Sequence, residues 1–186
     1  MKKARLITVF LLAGLSLLVN AQDKKNAVKL NLISPFIKTI NLAYERVLNE
    51  NSGLVVHAYY TGYQNKSNDP TTKTEGFGII PEYRLYVSDK KNAPAGFFVA
   101  PFLRYDSFKV TDTYDDGTKN TGSYSDFGAG LVIGIQSVFS NIVTLEAYIG
   151  PQYIFGNEKN DSDGEIETPQ LKGVMPRGGV TIGILF

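Results

Sequence analysis

Apolar and polar residues alternate with a period of two along most of the chain. The clearest segments are 40–45, 77–88, 97–106, 126–136, 143–150 and 179–186. In each of them one parity is apolar and the other is mostly polar or small. Successive side chains of a β-strand point to opposite faces of the sheet, so this pattern is typical of strands. No stretch shows a convincing helical period of about 3.6 residues. The alternation therefore predicts an all-β protein.

Two further segments bring the predicted strands to eight. Residues 27–34 fit a first strand and residues 53–63 fit a third. Both parities of the third segment carry apolar residues, so its faces cannot be assigned from the sequence. An even number of strands returns the chain to the side from which it started.

The connections between these segments alternate in length. Three are long and polar, at 64–73, 111–123 and 157–172, whereas those at 34–36, 49–52, 89–95 and 137–141 are short. Transmembrane barrels have short periplasmic turns and longer loops outside. The chain is therefore predicted to be an eight-stranded antiparallel up-and-down transmembrane β-barrel, with its long loops as the contact surface.

Charged residues and glycines occupy the polar parity. A soluble barrel and a membrane barrel would place this parity on opposite faces of the wall. A soluble barrel would turn these charges to water and fill its interior with the large apolar residues. A membrane barrel would turn the apolar parity to lipid, and its closure would leave no unpaired backbone there. The second arrangement is favoured. The predicted lumen network is Glu45, Glu82, Arg84, Arg104, Glu146 and Arg177.

The size of the barrel suggests what this network does. An eight-stranded barrel has room inside only for side chains. An unpaired buried charge costs several kcal/mol, so the charges are expected to pair with one another. A structural role in a filled lumen, without an open pore, is favoured over a proton or ion path.

Aromatic residues and prolines add detail to the predicted wall. Aromatic side chains near strand ends suit the two interfacial girdles of a membrane barrel; they are Phe77, Phe97, Tyr105, Phe127, Tyr153 and Phe186. Pro81, Pro101 and Pro151 fall inside predicted strands, where proline normally marks an edge or a bulge. They are predicted to be bulges that curve a tight barrel.

The N-terminal segment has the features of a secretory signal peptide. Basic residues at Lys2, Lys3 and Arg5 precede the apolar run 6–19, and small residues end at Ala21. We expect cleavage after Ala21, which leaves 22–186 as a single barrel domain. The apolar run is shorter than the roughly 20 residues that a membrane-spanning helix needs.

Composition excludes several classes of function. Loss of the three basic residues of the leader would lower the formal charge from +1 to −2. Phosphate backbones require a basic patch, so no nucleic-acid partner is expected. The chain has no cysteine, which excludes both a lipoprotein anchor and a disulfide framework.

The last nine residues, GGVTIGILF, carry the most specific resemblance. They resemble the C-terminal signature of bacterial outer-membrane barrels, with alternating apolar residues and a terminal phenylalanine. The resemblance implies that Val180, Ile182, Ile184 and Phe186 are read by the barrel-assembly machinery during folding. It also implies residence in the bacterial outer membrane, in contact with its lipids and lipopolysaccharide.

Two internal stretches narrow the resemblance. GFGIIPEYRLYV (76–87) and GFFVAPFLRYDSF (96–108) share a Gly-Phe start, a proline on the apolar parity and an arginine three residues later. The architecture is similar to small OmpA/OmpX-type barrels, and these stretches resemble a family of small, functionally uncharacterised outer-membrane barrels. The likeness extends over nearly the whole chain after the leader.

Candidate chemistry is sparse. His57 is the single histidine, and no serine lies in a recognisable nucleophile motif. His57 is therefore expected to be a wall residue rather than a general base. NDSDGE (160–165) is similar to part of a calcium loop but lacks ligands at both ends of an EF-hand frame. No catalytic residue, cofactor or metal is predicted.

Three functions remain open on the sequence. The favoured one is a monomeric outer-membrane barrel with a structural role, or one that presents its outer loops to an unidentified protein partner. The first alternative is a lipid-modifying barrel enzyme that uses His57. The second is a secreted soluble barrel that binds a small apolar ligand inside.

Overall fold

The computed structural model describes residues 24–66, 70–88, 92–159 and 172–186. Within these ranges the chain forms strands joined by turns and one 3-10 turn at Ser34–Ile37. The strands are β1 (Asn26–Asn31), β2 (Thr39–Asn49), β3 (Ser52–Lys66), β4 (Thr71–Tyr86), β5 (Gly96–Thr113), β6 (Lys119–Phe139), β7 (Val143–Ile154), β8 (Asn157–Lys159) and β9 (Gly173–Leu185). No helix in the described ranges has the length and hydropathy needed to cross a membrane.

The strands close into a ring of antiparallel neighbours. Each strand from β1 to β6 pairs with the next, β7 pairs with β9, and β9 pairs with β1. The short β8 pairs with β6 in the register that β7 already holds, so it extends β7 beyond a break at 155–156. The wall therefore has eight strands, and the predicted up-and-down barrel is confirmed.

The two faces of the wall are arranged as in a membrane barrel. Leu131 and Ile133 are 46% and 58% exposed on the outside, whereas Arg84 is 0% exposed inside. A water-soluble barrel requires the opposite arrangement, because burial of apolar surface drives its folding. The predicted transmembrane fold is confirmed, and the alternative of a soluble barrel with an apolar interior is wrong.

The third strand, whose faces the sequence left open, follows the same rule. Val55 and His57 are buried inside, and Leu54, Val56 and Tyr60 lie outside. Apolar residues occur on both parities because Val55 fills part of the lumen.

The two ends of the barrel differ. At one end, here called the terminal end, the amide of Asn26 donates to the Phe186 carbonyl at 2.9 Å, and the amide of Phe186 donates back at 2.7 Å. The short β2–β3 and β6–β7 turns also lie there. The opposite end is called the loop end. The predicted loops 64–73 and 111–123 are largely strand, because β3 to β6 continue beyond the apolar part of the wall.

An aromatic belt marks where the apolar wall ends towards the loop end. The rings of Phe77 and Tyr105 lie 6.5 Å apart, and those of Tyr105 and Phe127 lie 4.9 Å apart. Phe97, at the other end of β5, points outward near the terminal end. The stretch from Phe97 to Tyr105 agrees with the roughly 9–11 tilted residues that span a membrane.

Glycines in the lumen make room for aromatic rings on the neighbouring strand. Gly134 faces Phe98 and Gly130 faces Phe102 across the β5–β6 ladder. A Cβ on Gly134 would lie 2.4 Å from the Phe98 ring, and one on Gly130 would lie 2.5 Å from the Phe102 ring. These pairs fill the narrow interior, as expected for small inward residues in a barrel of this size.

The prediction of bulges at Pro81, Pro101 and Pro151 is wrong. All three face outward, and the strand registers are unchanged across them. Proline lacks an amide hydrogen and so loses a ladder bond to one neighbour only. The β4–β5 pairing, for example, passes from Ile79↔Tyr105 to Glu82↔Phe102 without a shift. Of the described pairings, the β2–β3 pair shifts register, between Val47 and Asn49.

Three features predicted from the sequence lie outside the described residues. They are the leader at 1–21, the NDSDGE segment and most of the 157–172 loop.

Candidate functional site

Buried polar side chains fill the middle of the barrel. Alternate positions of every strand face inward, so the polar parity lines the lumen. We call the largest connected group the inner cluster. Its members are Lys29, Glu45, His57, Glu82, Arg84, Tyr86, Gln136, Glu146 and Arg177.

Arg84 lies at the centre of the inner cluster. Its Nη1 and Nη2 donate to the two carboxylate oxygens of Glu146 at 2.6 Å and 2.9 Å. Its Nη2 and Nε also donate to Glu82 Oε2, at 3.0 Å and 3.2 Å. The guanidinium carbon lies 4.3 Å from the centre of the Phe98 ring. Two carboxylates and an aromatic face thus hold this arginine in one orientation.

Lys29 connects Glu146 to the third carboxylate of the cluster, Glu45. Its Nζ lies 2.5 Å from Glu146 Oε2 and 2.7 Å from Glu45 Oε2. It also donates to Gln136 Oε1 at 2.5 Å, while Gln136 Nε2 donates to Glu45 at 3.1 Å. The Tyr86 hydroxyl donates to the same glutamate.

Arg177 and His57 form the layer nearest the loop end. Arg177 Nη2 donates to Glu82 Oε1 at 2.6 Å, and His57 Nε2 lies 3.0 Å from that same oxygen. The Arg177 guanidinium also lies over Phe102 and Tyr148, at 4.4 Å and 5.0 Å from the ring centres. Its Nη1 is buried and has no hydrogen-bond partner within the described part of the chain.

The inner cluster is electrically balanced. Lys29, Arg84 and Arg177 match Glu45, Glu82 and Glu146 in number. Buried charges are tolerated when they are paired and hydrogen-bonded, whereas removal of one partner leaves an uncompensated charge. The cluster can therefore act as a plug that depends on each of its members.

A second polar group lies apart from the inner cluster, nearer the loop end. Arg104 Nε pairs with Asp106, its Nη2 donates to the Tyr59 hydroxyl at 2.8 Å, and its Nη1 donates to Gln152 at 3.2 Å. Tyr59 also donates to Asp106. Arg104 is held by groups of β3, β5 and β7, and its side chain keeps 19% exposure.

A cleft opens between these two groups. This loop-end cleft has a volume of about 420 Å³ and lies inside the mouth of the barrel, away from the chain ends. Its polar walls include Asn31, Tyr59, Arg104, Tyr148, Gln152 and Arg177. The Asn31 side chain accepts from the amides of Ile33 and Ser34 at 2.9 Å and 3.0 Å, which turns the chain inward at a low point of the rim.

Comparison with known families identifies the chain. The family model described as "Protein of unknown function (DUF3575)" matches residues 7–175. The chain belongs to this family. A comparison with the curated proteins finds no match.

Solved structures similar to this DUF3575 protein are bacterial barrels. Acinetobacter baumannii CarO is 10% identical with a TM-score of 0.47, and covers 90% of this chain and 100% of its own. The N-terminal β-barrel domain of Pseudomonas aeruginosa OprF is 13% identical, with a TM-score of 0.44 and coverage of 88% and 98%. Neisserial surface protein A is 16% identical, with a TM-score of 0.44 and coverage of 88% and 95%.

The structure places the residues of the predicted lumen network in two groups. Glu45, Glu82, Arg84, Glu146 and Arg177 come together in the inner cluster. Arg104 belongs instead to the group with Asp106. The prediction of a single network is therefore corrected to two.

Sequence reasoning missed several members of the inner cluster, notably Lys29, Tyr86 and Gln136. Lys29 lies in a short strand. The alternation of polar Lys29 and Asn31 with apolar Val28 and Leu30 nevertheless indicates that Lys29 faces the lumen. Tyr86 and Gln136 lie on the inward parity of their strands. Both groups are uncharged, so a search for charges on the inward parity does not find them, although each hydrogen-bonds to Glu45.

His57 does not form a catalytic pair with a nucleophile. Its ring is 0% exposed, and it contacts Glu82 and, at 6.0 Å between ring centres, Tyr148. Neither ring nitrogen hydrogen-bonds to a serine or threonine hydroxyl of the described chain, so no such hydroxyl is positioned for proton transfer to His57. In the part of the chain that the structure describes, no group of three or more His, Cys, Asp or Glu side chains is arranged to hold a metal.

The four residues predicted as an assembly signal lie on the closing strand. Ile182 and Ile184 point outward and pair with Leu30 and Val28 of β1. Val180 pairs with Ala147 of β7, and Phe186 meets Asn26 at the terminal end. Recognition by the assembly machinery stays a prediction.

Proposed function

We propose that this protein is a monomeric outer-membrane barrel without an open pore, whose role is structural or is exerted through its loop-end strands. The observation that carries the proposal is the inner cluster, in which Arg84 and three glutamates are buried across the full width of the lumen. A filled eight-stranded lumen leaves no water path of useful width. The outward apolar face suits contact with outer-membrane lipid and lipopolysaccharide.

Conductance measures the closed lumen directly. The refolded full chain, reconstituted in planar lipid bilayers, is expected to give no discrete current steps. The variant with both Arg84→Ala and Glu146→Ala removes a charge pair without leaving a net charge, and should leak. Stable current steps from the unaltered protein would contradict the proposal.

The strands β5 and β6 support a role at the loop end. They continue past the aromatic belt to Thr113 and Lys119, and a turn closes them through Tyr114 N to Thr118 O at 3.0 Å. This hairpin presents polar residues on both faces, as expected outside the membrane. It is the part of the described chain best placed to meet a partner.

A shortened hairpin separates the structural role from the interaction role. Residues 109–112 pair with 120–123, so removal of both sets keeps the register and the inward parity. Cells that lack the protein are expected to be sensitive to detergent. If the shortened barrel restores resistance as fully as the natural chain, the role is structural. If only the natural chain does so, the hairpin carries the function.

A further inference from the structure

We infer that the loop-end cleft binds an oxyanion, the phosphate or carboxylate group of a small solute or of a lipid headgroup, between Arg104 and Arg177. This inference goes beyond the proposed function, because a closed structural barrel needs no ligand. It rests on the shape of the cleft, on an unsatisfied donor in its floor and on the position of the acidic residues behind its walls.

The cleft has the size and composition of a small-molecule site. Its volume of about 420 Å³ lies within the usual range of roughly 300–1,000 Å³. Apolar walls such as Ile80 and Phe108 alternate with hydroxyl and amide groups from Thr61, Tyr148 and Gln152. A bare phosphate would not fill it, so the oxyanion is expected to belong to a larger molecule.

Arg177 supplies an unsatisfied donor at the floor of the cleft. Its side chain is only 7% exposed, yet Nη1 has no hydrogen-bond partner. Its single carboxylate partner is Glu82, which Arg84 and His57 also contact. A buried donor without a partner is costly, and a charged one more so. Nη1 has almost no accessible surface and no hydrogen-bond partner among the described residues. A small shift of the guanidinium towards the cleft would therefore let an oxyanion satisfy both the missing hydrogen bond and part of the positive charge.

The geometry around Arg177 is preorganised. Phe102 and Tyr148 cover its guanidinium plane, and Glu82 holds Nη2. These contacts restrict the orientation of the guanidinium, so only a small movement separates Nη1 from the cleft. Planar arginine forks of this kind are well suited to phosphate and carboxylate.

Arg104 supplies the second cation in the lining of the cleft. Asp106 pairs with its Nε, and Asp106 lies directly across from Asp126 in the β5–β6 ladder. Both carboxylates are buried, and neither lines the cleft. Among the described residues, the cleft is thus lined by two arginines, neutral polar groups and apolar side chains, with Asp106 behind Arg104 and Glu82 behind Arg177.

The experiment uses the full chain refolded in a maltoside detergent that contains no phosphate. Inorganic phosphate is added at fixed ionic strength, and the arginine Nε–H signals are followed by NMR. The signals of Arg104 and Arg177 should shift and saturate. Arg177→Gln and Arg104→Gln should each weaken binding at least tenfold, while the exposed Arg46→Gln at the terminal end should leave it unchanged.

A second arm identifies the source of the oxyanion. The same signals are compared in nanodiscs of phosphatidylglycerol, without added phosphate. A shift already present there indicates a lipid headgroup, whereas a shift that needs added phosphate indicates a soluble ligand; either supports the inference. If Arg177→Gln fails to refold, Arg177→Lys keeps the contact with Glu82 but loses the fork, and it should also weaken binding.

Two results would overturn the inference. One is the absence of a saturable shift in both arms. The other is an equal loss of affinity in the Arg46→Gln control, which would mean that phosphate responds only to overall charge. Neither result would affect the conductance of the barrel, so failure of this inference and failure of the closed-barrel proposal are distinguishable.

Discussion

Two neighbouring layers of the buried lumen use arginine in different ways. Arg84, in the middle of the inner cluster, donates to both oxygens of Glu146 and to Glu82. Arg177, one layer nearer the loop end, shares Glu82 with Arg84 and leaves Nη1 without a partner. At position 84 the arginine has hydrogen-bond partners for Nε, Nη1 and Nη2, whereas at position 177 it lacks a partner for Nη1 among the described residues. The number of carboxylates within reach decides whether a buried arginine closes the lumen or remains available to a ligand.

The largest expected effect follows from removal of Arg84. Arg84→Ala leaves Glu146 and Glu82 without their main partner in a site that is 0% exposed. Breaking a buried ion pair in this way costs about 3–5 kcal/mol. The free energy of unfolding in urea, followed by the gel mobility of folded and unfolded barrel, should fall by that amount.

The control for this variant is Arg46→Ala, which changes an exposed arginine of β2 at the terminal end. Its stability should match that of the natural chain, because surface pairs contribute little. Unchanged stability of Arg84→Ala would remove the inner cluster as the plug of the barrel.

A smaller effect is expected from crowding the layer that supports Arg84. A Cβ at Gly134 would lie 2.4 Å from the Phe98 ring and 2.7 Å from the Ala147 carbonyl oxygen. Phe98 cannot move freely, because Arg84 lies over its face. Gly134→Ala should therefore lower the free energy of unfolding by about 1–3 kcal/mol.

Two matched variants test the cause of this loss. Gly62→Ala places a methyl group 3.3 Å from the exposed Tyr60 ring, which can shift, and should be nearly neutral. The pair Gly134→Ala with Phe98→Leu should be less destabilised than the two single changes predict together. Simple additivity would show that the contact with Phe98 is not the source.

We expect Arg177 to contribute less to the free energy of unfolding than Arg84 does. Arg177→Gln removes one carboxylate contact, and Arg84 remains to compensate Glu82. The loss in the free energy of unfolding should be about 1.5–3 kcal/mol, since one hydrogen bond to a charged group is removed. A loss equal to that of Arg84→Gln would erase the difference between the two arginines.

The positions of these arginines also show which features of the lumen can be predicted from the sequence. Alternation assigns each side chain to a face, because the strand period is two. It correctly places Glu45, Arg84 and Glu146 inside. It does not assign a height along the barrel. Height depends on the register between strands, which no single strand encodes. This is why Arg104 was grouped with Arg84, although it contacts Tyr59 and Asp106 instead.

The failure at the prolines has a different cause. Pro81, Pro101 and Pro151 were treated as ladder breaks that need an extra residue. In a wall where each strand has two neighbours, an outward proline loses one bond to one of them, and the other ladder keeps the register. The number of neighbours is a property of the closed sheet and not of the local sequence.

The smallest effect is expected in the water-exposed part of β4, where charges pair without burial. Lys73 Nζ lies 2.9 Å from Glu75 Oε2, and the Tyr60 hydroxyl donates to Oε1 at 3.2 Å. The hydrogen bond from Lys73, followed by that from Tyr60, holds the pKa of Glu75 below its usual 4.5. A lowered folded pKa stabilises the fold above the usual value, and this contribution disappears as the pH falls through the folded pKa.

Carboxyl NMR titration of Glu75 in the natural chain and in Lys73→Gln measures this contribution. The variant should move the pKa of Glu75 back up towards 4.5, while the midpoint of urea unfolding at neutral pH stays the same, because exposed pairs are screened by solvent. A large change in that midpoint would mean that a charge pair at the rim matters as much as one in the inner cluster. Burial would then not be the property that separates the plug from the rest of the barrel.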